Sequence, residues 1–155
     1  VIDYDASGGL VLRVGQPGSR ALHLLFSDRL RPFREDYGED DPVLDLLVTA
    51  RGEWARVQTS VRTFNGDGLC TFLFSAAEDF RGWAGARTWH SIERQLTLSA
   101  EHRSGGHVHL TWGVHGRPPY GRWDFATTTV HAAGEEMRKL ASDFREFFTA
   151  EIEQP

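Results

Sequence analysis

The chain has 155 residues, of which 25% are charged and 40% hydrophobic, a composition that fits one globular domain spanning 1–155 and excludes disorder and collagen. The net charge of −5 argues against a nucleic-acid partner, because neutralising phosphates takes a dense cationic face. Cys70, the single cysteine, excludes an internal disulfide and a structural zinc site of thiolates, and points to a reducing, cytoplasmic setting.

Residues 10–14 and 20–26 carry the two-residue period of half-buried strands, and Gly15-Gln16-Pro17-Gly18 between them predicts a hairpin. The apolar runs here, such as Leu24-Leu25-Phe26, fall far short of the ~20 residues that span a bilayer, so no membrane partner is expected. The chain opens at Val1 without a basic-plus-apolar leader. After a polar stretch over 27–42, residues 43–50 and 54–64 predict a second hairpin around Arg51-Gly52-Glu53. Leu69, Phe72, Leu73, Ala76, Ala77 and Phe80 then repeat with helical spacing, with Asp67 placed to N-cap the helix and Gly82 to end it. Residues 95–101, 107–114 and 122–131 predict three more strands. The closing helix, over 134–150, presents Met137, Leu140, Ala141, Phe144, Phe147 and Phe148 on one stripe.

These elements predict an α+β protein with an antiparallel sheet of six or seven strands and two amphipathic helices packed on one face. The helix tails read Ala-Glu-Asp-Phe-Arg-Gly at 77–82 and Ala-Ser-Asp-Phe-Arg-Glu at 141–146. Two strands-then-helix halves, or convergent patterning, explain that echo. The loop Arg103-Ser104-Gly105 sets a register that turns Leu96, Leu98, Ala100, Val108, Leu110 and Trp112 toward the helices.

The same register turns His107 and His109 outward with Glu101 across from them, a His-x-His pair with a carboxylate as third ligand and His131 as a further donor. That set suits a divalent metal as cofactor, in a metal-binding module or a small metal-dependent enzyme. Trp123, Phe125, Thr127 and Thr129 are expected on this outward face as a partner surface, or beneath the first half of the chain as core. Glu35, Asp36, Glu39, Asp40 and Asp41 crowd into one connection around Tyr37 and Gly38, without the alternate-ligand spacing of an EF-hand. Such a cluster suits a basic protein partner, and Arg29, Arg31 and Arg34 just before it are placed to neutralise part of it. No Gly-x-Ser-x-Gly nucleophile turn, phosphate-binding glycine loop or zincin helix occurs, so the residues give an enzyme no positive support. A small-ligand carrier, with an apolar cavity between sheet and helices, is a further alternative.

Trp83, Gly85, Arg87, Trp89, Ser91 and Glu93 occupy alternate positions, so an extended segment shows them on one side. Arg87 between Trp83 and Trp89 suits cation–π contacts, either locking the segment to the sheet or offering a recognition site. The segment Gly-Trp-x-Gly-x-x-x-Trp-x-Ser-x-Glu at 82–93, Gly106-His107-Val108 and the Phe147-Phe148 helix end resemble an uncharacterised bacterial family, domain-of-unknown-function family six-two-two-eight. The resemblance covers about the C-terminal half, with nothing recognised over residues 1–60. The family's acidic residue between Trp and Gly is Ala84 here, so a role for that acid does not carry over. The resemblance implies a stand-alone cytoplasmic protein, and its size and acidity are common among immunity proteins that neutralise bacterial toxins. A non-enzymatic binding protein of that kind is the leading expectation.

Overall fold

A computed structural model describes residues 1–16, 20–119 and 121–152, without the side chain of Glu39; the expected Pro17-Gly18 turn lies outside the described residues. Strands β1 (Ile2–Tyr4), β2 (Leu10–Val14) and β3 (His23–Leu30) are followed by a single helical turn, α1 (Arg34–Tyr37). Then come β4 (Val43–Arg51), β5 (Arg56–Phe64) and helix α2 (Leu69–Glu78). Strands β6 (Ala86–His90), β7 (Leu96–Arg103), β8 (His107–Gly116) and β9 (Trp123–Ala132) precede the last helix, α3 (Glu135–Thr149).

The strands form two antiparallel meanders, a five-stranded sheet β1-β2-β3-β4-β5 and a four-stranded sheet β6-β7-β8-β9, in place of the expected single sheet of six or seven strands. Alternation marks which face of a strand is buried, but it does not say which edges meet once α2 interrupts the meander. Both inner faces and the two longer helices share one core. Phe26 from β3 meets Phe144 edge-on with ring centroids 4.9 Å apart, and Trp112 from β8 stacks on Phe144 at 5.9 Å. Phe26, Trp112, Phe144 and Phe147 are each 0% exposed at the centre of this core. Each such aromatic contributes about 1.5–3 kcal/mol of transfer free energy, and the offset and edge-on ring geometries add to it.

The register of β7 and β8 is the expected one, with Arg103 paired to His107 and Leu98 to Trp112. All six inward residues of these strands are buried, and so is the whole predicted stripe of α3. The ends of α2 depart from expectation. Its N-cap is Gly68 in the left-handed region, while Asp67 accepts from Phe64 N–H and Ile92 N–H and so fastens two connections together. Its C-cap is Asp79, leaving Phe80 54% exposed and Gly82 to turn the chain beneath His102, whose ring a β-carbon at 82 would strike.

Arg29 ties the first sheet to the last helix. A bulge in β3, with Asp28 at φ 52°, breaks the alternation so that Arg29 reaches the C-terminal end of α3. Its guanidinium donates to the carbonyls of Phe147 (2.8 Å), Ala150 (2.7 Å) and Glu151 (3.3 Å), which are the acceptors a helix end leaves free.

Candidate binding cleft beneath the acidic loop

The connection between β3 and β4 folds over the outward face of the first sheet, anchored by Asp41. This side chain is 2% exposed, and its two carboxylate oxygens accept from Phe33 N–H (3.0 Å) and Val43 N–H (2.9 Å). The second bond spans two residues, the Asx-turn pattern, and Pro42 stiffens the bend. Beneath the loop lies a cleft of about 530 Å³ lined by Phe33, Asp36, Tyr37, Asp41, Pro42, Val43 and Phe64. Tyr37 and Phe64 are 66% and 45% exposed, and Phe33, 37% exposed, has the Arg62 guanidinium 5.3 Å from its ring centroid.

The neighbouring arginines do not neutralise those carboxylates. Arg29 caps α3, Arg31 donates to the Asp41 carbonyl (2.9 Å), and Arg34 donates to the Ile152 carbonyl (3.2 Å). Among the described residues no ion pair engages Glu35, Asp36 or Asp40, all of which are exposed. The expected pairing of the basic and acidic blocks is therefore replaced by arginine-to-backbone bonds, and the acidic charge stays available. Of the five predicted acids, Asp36 and Asp41 line the cleft, Asp41 also holding the loop; Glu35 and Asp40 are exposed in the same connection, and the side chain of Glu39 lies outside the described residues. The acid cluster marks this site in the sequence, but Phe33 and Phe64, which build its walls, do not stand out as binding residues there.

The other predicted sites come out differently. Arg87 lies 4.5 Å from the centroid of the Trp83 ring and pairs with Asp79 at 2.7 Å. Trp83 donates its indole N–H to the Ala100 carbonyl, and Trp89 donates to the Asp67 carbonyl. Both indoles pack against the core, and the segment ties the two ends of α2 to the second sheet through Asp67 and Asp79. Trp123 and Phe125 sit on the inward face of β9, not the outward one, with Thr127 and Thr129. The six positions from 117 to 122 join β8 and β9 so that odd residues of one face even residues of the other, as in Val114 with Phe125 and His109 with Val130. That parity carries the whole set across the sheet.

His131 turns inward for the same reason. There it ends a buried chain in which Trp112 Nε1–H donates to Thr129 Oγ1 (2.9 Å), and Thr129 Oγ1 is hydrogen-bonded to His131 Nε2 (2.8 Å). Burial holds the His131 pKa below the usual imidazole range, with Glu136 opposing the shift and the N-terminal ammonium adding to it. On the outward face Glu101 lies opposite His109, as expected, but it pairs with Arg103 at 3.1 Å, and Arg103 faces His107. Among the described residues no three His, Cys, Asp or Glu side chains converge as a metal site, so His107, His109, Glu101 and His131 are not assembled for one.

One constellation escaped sequence reasoning. Thr97 Oγ1 bonds His115 Nε2 (2.8 Å) and His115 Nδ1 bonds Asp124 Oδ1 (2.6 Å), a hydroxyl-imidazole-carboxylate chain across β7, β8 and β9. The hydrogen bond to His115 holds the Asp124 carboxyl below its ordinary pKa. Gly113 makes the chain possible, because a β-carbon there would overlap Thr97 Oγ1 and the His115 ring. Counting the register from the β7–β8 loop would have placed Thr97 opposite Gly113. The chain fastens three strands.

A family model described as a family of unknown function (DUF6228) matches residues 16–151, and the chain belongs to that family. The match reaches well into the first half of the chain, beyond the C-terminal half on which the resemblance was read. No curated protein and no solved structure matches the chain.

Proposed function

We propose that this DUF6228 protein is a non-enzymatic binding protein that captures a basic protein partner in the cleft beneath its acidic loop. The observation that carries this reading is the cleft itself: the aromatic side chains of Phe33, Tyr37 and Phe64 beside the exposed Asp36 carboxylate, which no ion pair engages among the described residues. An arginine or lysine side chain entering it would lie against ring faces by cation–π attraction, with Asp36 in reach of its charge. Glu35 and Asp40 supply an exposed negative field that speeds encounter with a basic surface. Tyrosine and phenylalanine are also rigid, large-area contacts of the kind that dominate binding energy at interfaces. Small size and net acidity fit the class of cytoplasmic immunity proteins that neutralise a bacterial toxin, and that is the role we assign.

The test is fluorescence anisotropy of a labelled arginine-rich hexapeptide against the full chain at low salt. Saturable binding that weakens at least about five-fold in both Asp36→Asn and Tyr37→Ala is expected, and falls with added salt. Binding that is unchanged in those variants, or a glutamate-rich hexapeptide binding as tightly, overturns the reading.

A further inference from the structure

An open sheet ends in edge strands, and those of this protein are unequal. β1 has 3 residues and β6 has 5, while β5 carries Arg56 and Arg62. Short length and cationic side chains are devices that keep an edge from pairing with another chain. β9 has neither: its 10 residues include no lysine, arginine or proline, and it pairs with β8 along its whole length without a bulge.

The hydrogen-bond phase of β9 shows which of its backbone groups are open. Just beyond the strand, Ala133 N–H donates to the Gly106 carbonyl (2.8 Å). That bond assigns the odd residues of β9 to the ladder with β8 and turns the N–H and carbonyl groups of the even residues away from it. At the end of the strand Ala132 N–H is taken by the Glu136 carboxylate (2.6 Å), so the open stretch stops there. Before it, no hydrogen bond among the described residues engages the backbone of Asp124, Ala126, Thr128 or Val130, and all four residues are exposed. On the inward side Trp123, Phe125 and Thr127 are only half-buried, so the core does not close over this edge.

We infer that β9 joins two copies of this chain, edge to edge as antiparallel strands. The open residues 124, 126, 128 and 130 are spaced evenly about Thr127. A two-fold axis there sets Asp124 against Val130 of the second copy and Ala126 against its Thr128, each pair exchanging both backbone bonds, with no open group left over. This self-match singles out a second copy as the occupant, because a two-fold interface needs one patch that complements itself. Like charges do not meet: Asp124 is the strand's one carboxylate and stands at opposite ends in the two copies. In the same register Trp123 faces His131 of the second copy, Phe125 faces its Thr129, and Thr127 faces its equivalent, and aromatic and β-branched cross-strand pairs stabilise a sheet. The two four-stranded sheets become one. The edge belongs to the second sheet, whereas the acidic cleft lies on the first.

The experiment is sedimentation velocity of the full chain from about 1 to 500 µM, with amide hydrogen exchange by NMR at both ends of that range. The mass should rise from one chain to two, and the amides of Ala126, Thr128 and Val130 should exchange at least ten-fold more slowly in the concentrated sample. Thr128→Pro deletes an outward N–H without touching the ladder to β8, and Ala126→Lys places a charge at the edge; each should weaken dimerisation at least ten-fold. A chain that stays monomeric throughout overturns the inference and leaves the edge to an extended segment of another protein. A dimer in which those amides exchange as fast as in the monomer, or one that both variants form like the parent, overturns it as well. The exchange readout uses the parent chain, so it decides the matter even where a substitution disrupts folding.

Discussion

Replacing Asp41 with alanine tests the claim that this acid holds the loop between β3 and β4 in place. Its carboxylate takes two backbone N–H groups, at 3.0 and 2.9 Å, and hydrogen bonds to a charged group contribute about 1.5–3 kcal/mol each. Phe33, 37% exposed, can turn its freed N–H to water, whereas Val43, 6% exposed, has its N–H stranded. One bond is thus partly recovered and the other wholly lost, which puts the cost at about 2–4 kcal/mol. Asp41→Asn keeps one acceptor oxygen and sets its amide against the other donor, so roughly half of that loss is expected. Asp36→Asn, an exposed change one turn away, should stay within about 0.5 kcal/mol. In urea unfolding, with a slope of about 2 kcal/mol/M, Asp41→Ala then moves the midpoint down by about 1–2 M at unchanged slope. A midpoint shift for Asp41→Ala no larger than that of Asp36→Asn would refute the reasoning.

Two further outcomes follow from the buried titratable groups. His131 has its pKa lowered in the folded state, so the unfolded chain takes up a proton first as pH falls; stability is full above about 6.5, the ordinary imidazole value, and declines below it until the folded pKa is passed. Urea midpoints between pH 7.5 and 5 should show this decline and show it flattened in His131→Gln, and equal slopes would remove His131 from the account. The Cys70 thiol is pushed up to about 11 by burial, so at pH 8 it is almost wholly unionised. Iodoacetamide should label it at least about 100-fold more slowly in the native chain than in urea, because only the thiolate reacts, and comparable rates would show that the thiol is not shielded.

The inner faces were legible because alternation and helical spacing report burial directly. Leu96, Leu98 and Ala100, like the stripe of α3, lie where their periods put them. Other features turn on geometry that a period does not carry. Trp123 and Phe125 take the inward face because the connection before β9 changes parity, and connection length is a weak guide to parity when the turn type is unknown. The acid cluster was visible, but its division of labour was not. Asp41 differs from Asp36 only in what lies around it, though Asp-Pro ahead of a strand is an Asx-turn signal that could have singled it out. The arginines misled for a related reason: charge pattern suggests salt bridges, yet free carbonyls at a helix end compete for a guanidinium, and here they win.

The bond from Arg29 to the end of α3 has a consequence in time. Arg29 and Arg34 bracket the entry to the recognition loop, and both are held by carbonyls of residues 147–152, some 118 positions or more further along the chain. On a ribosome the first sheet can form long before those carbonyls exist. Asp41 and Arg31 can hold the loop locally from the start, and its ties through Arg29 and Arg34 close only once α3 has emerged and docked. The full anchorage of the loop, on which the proposed capture of a partner draws, is therefore reached only in a chain that carries α3.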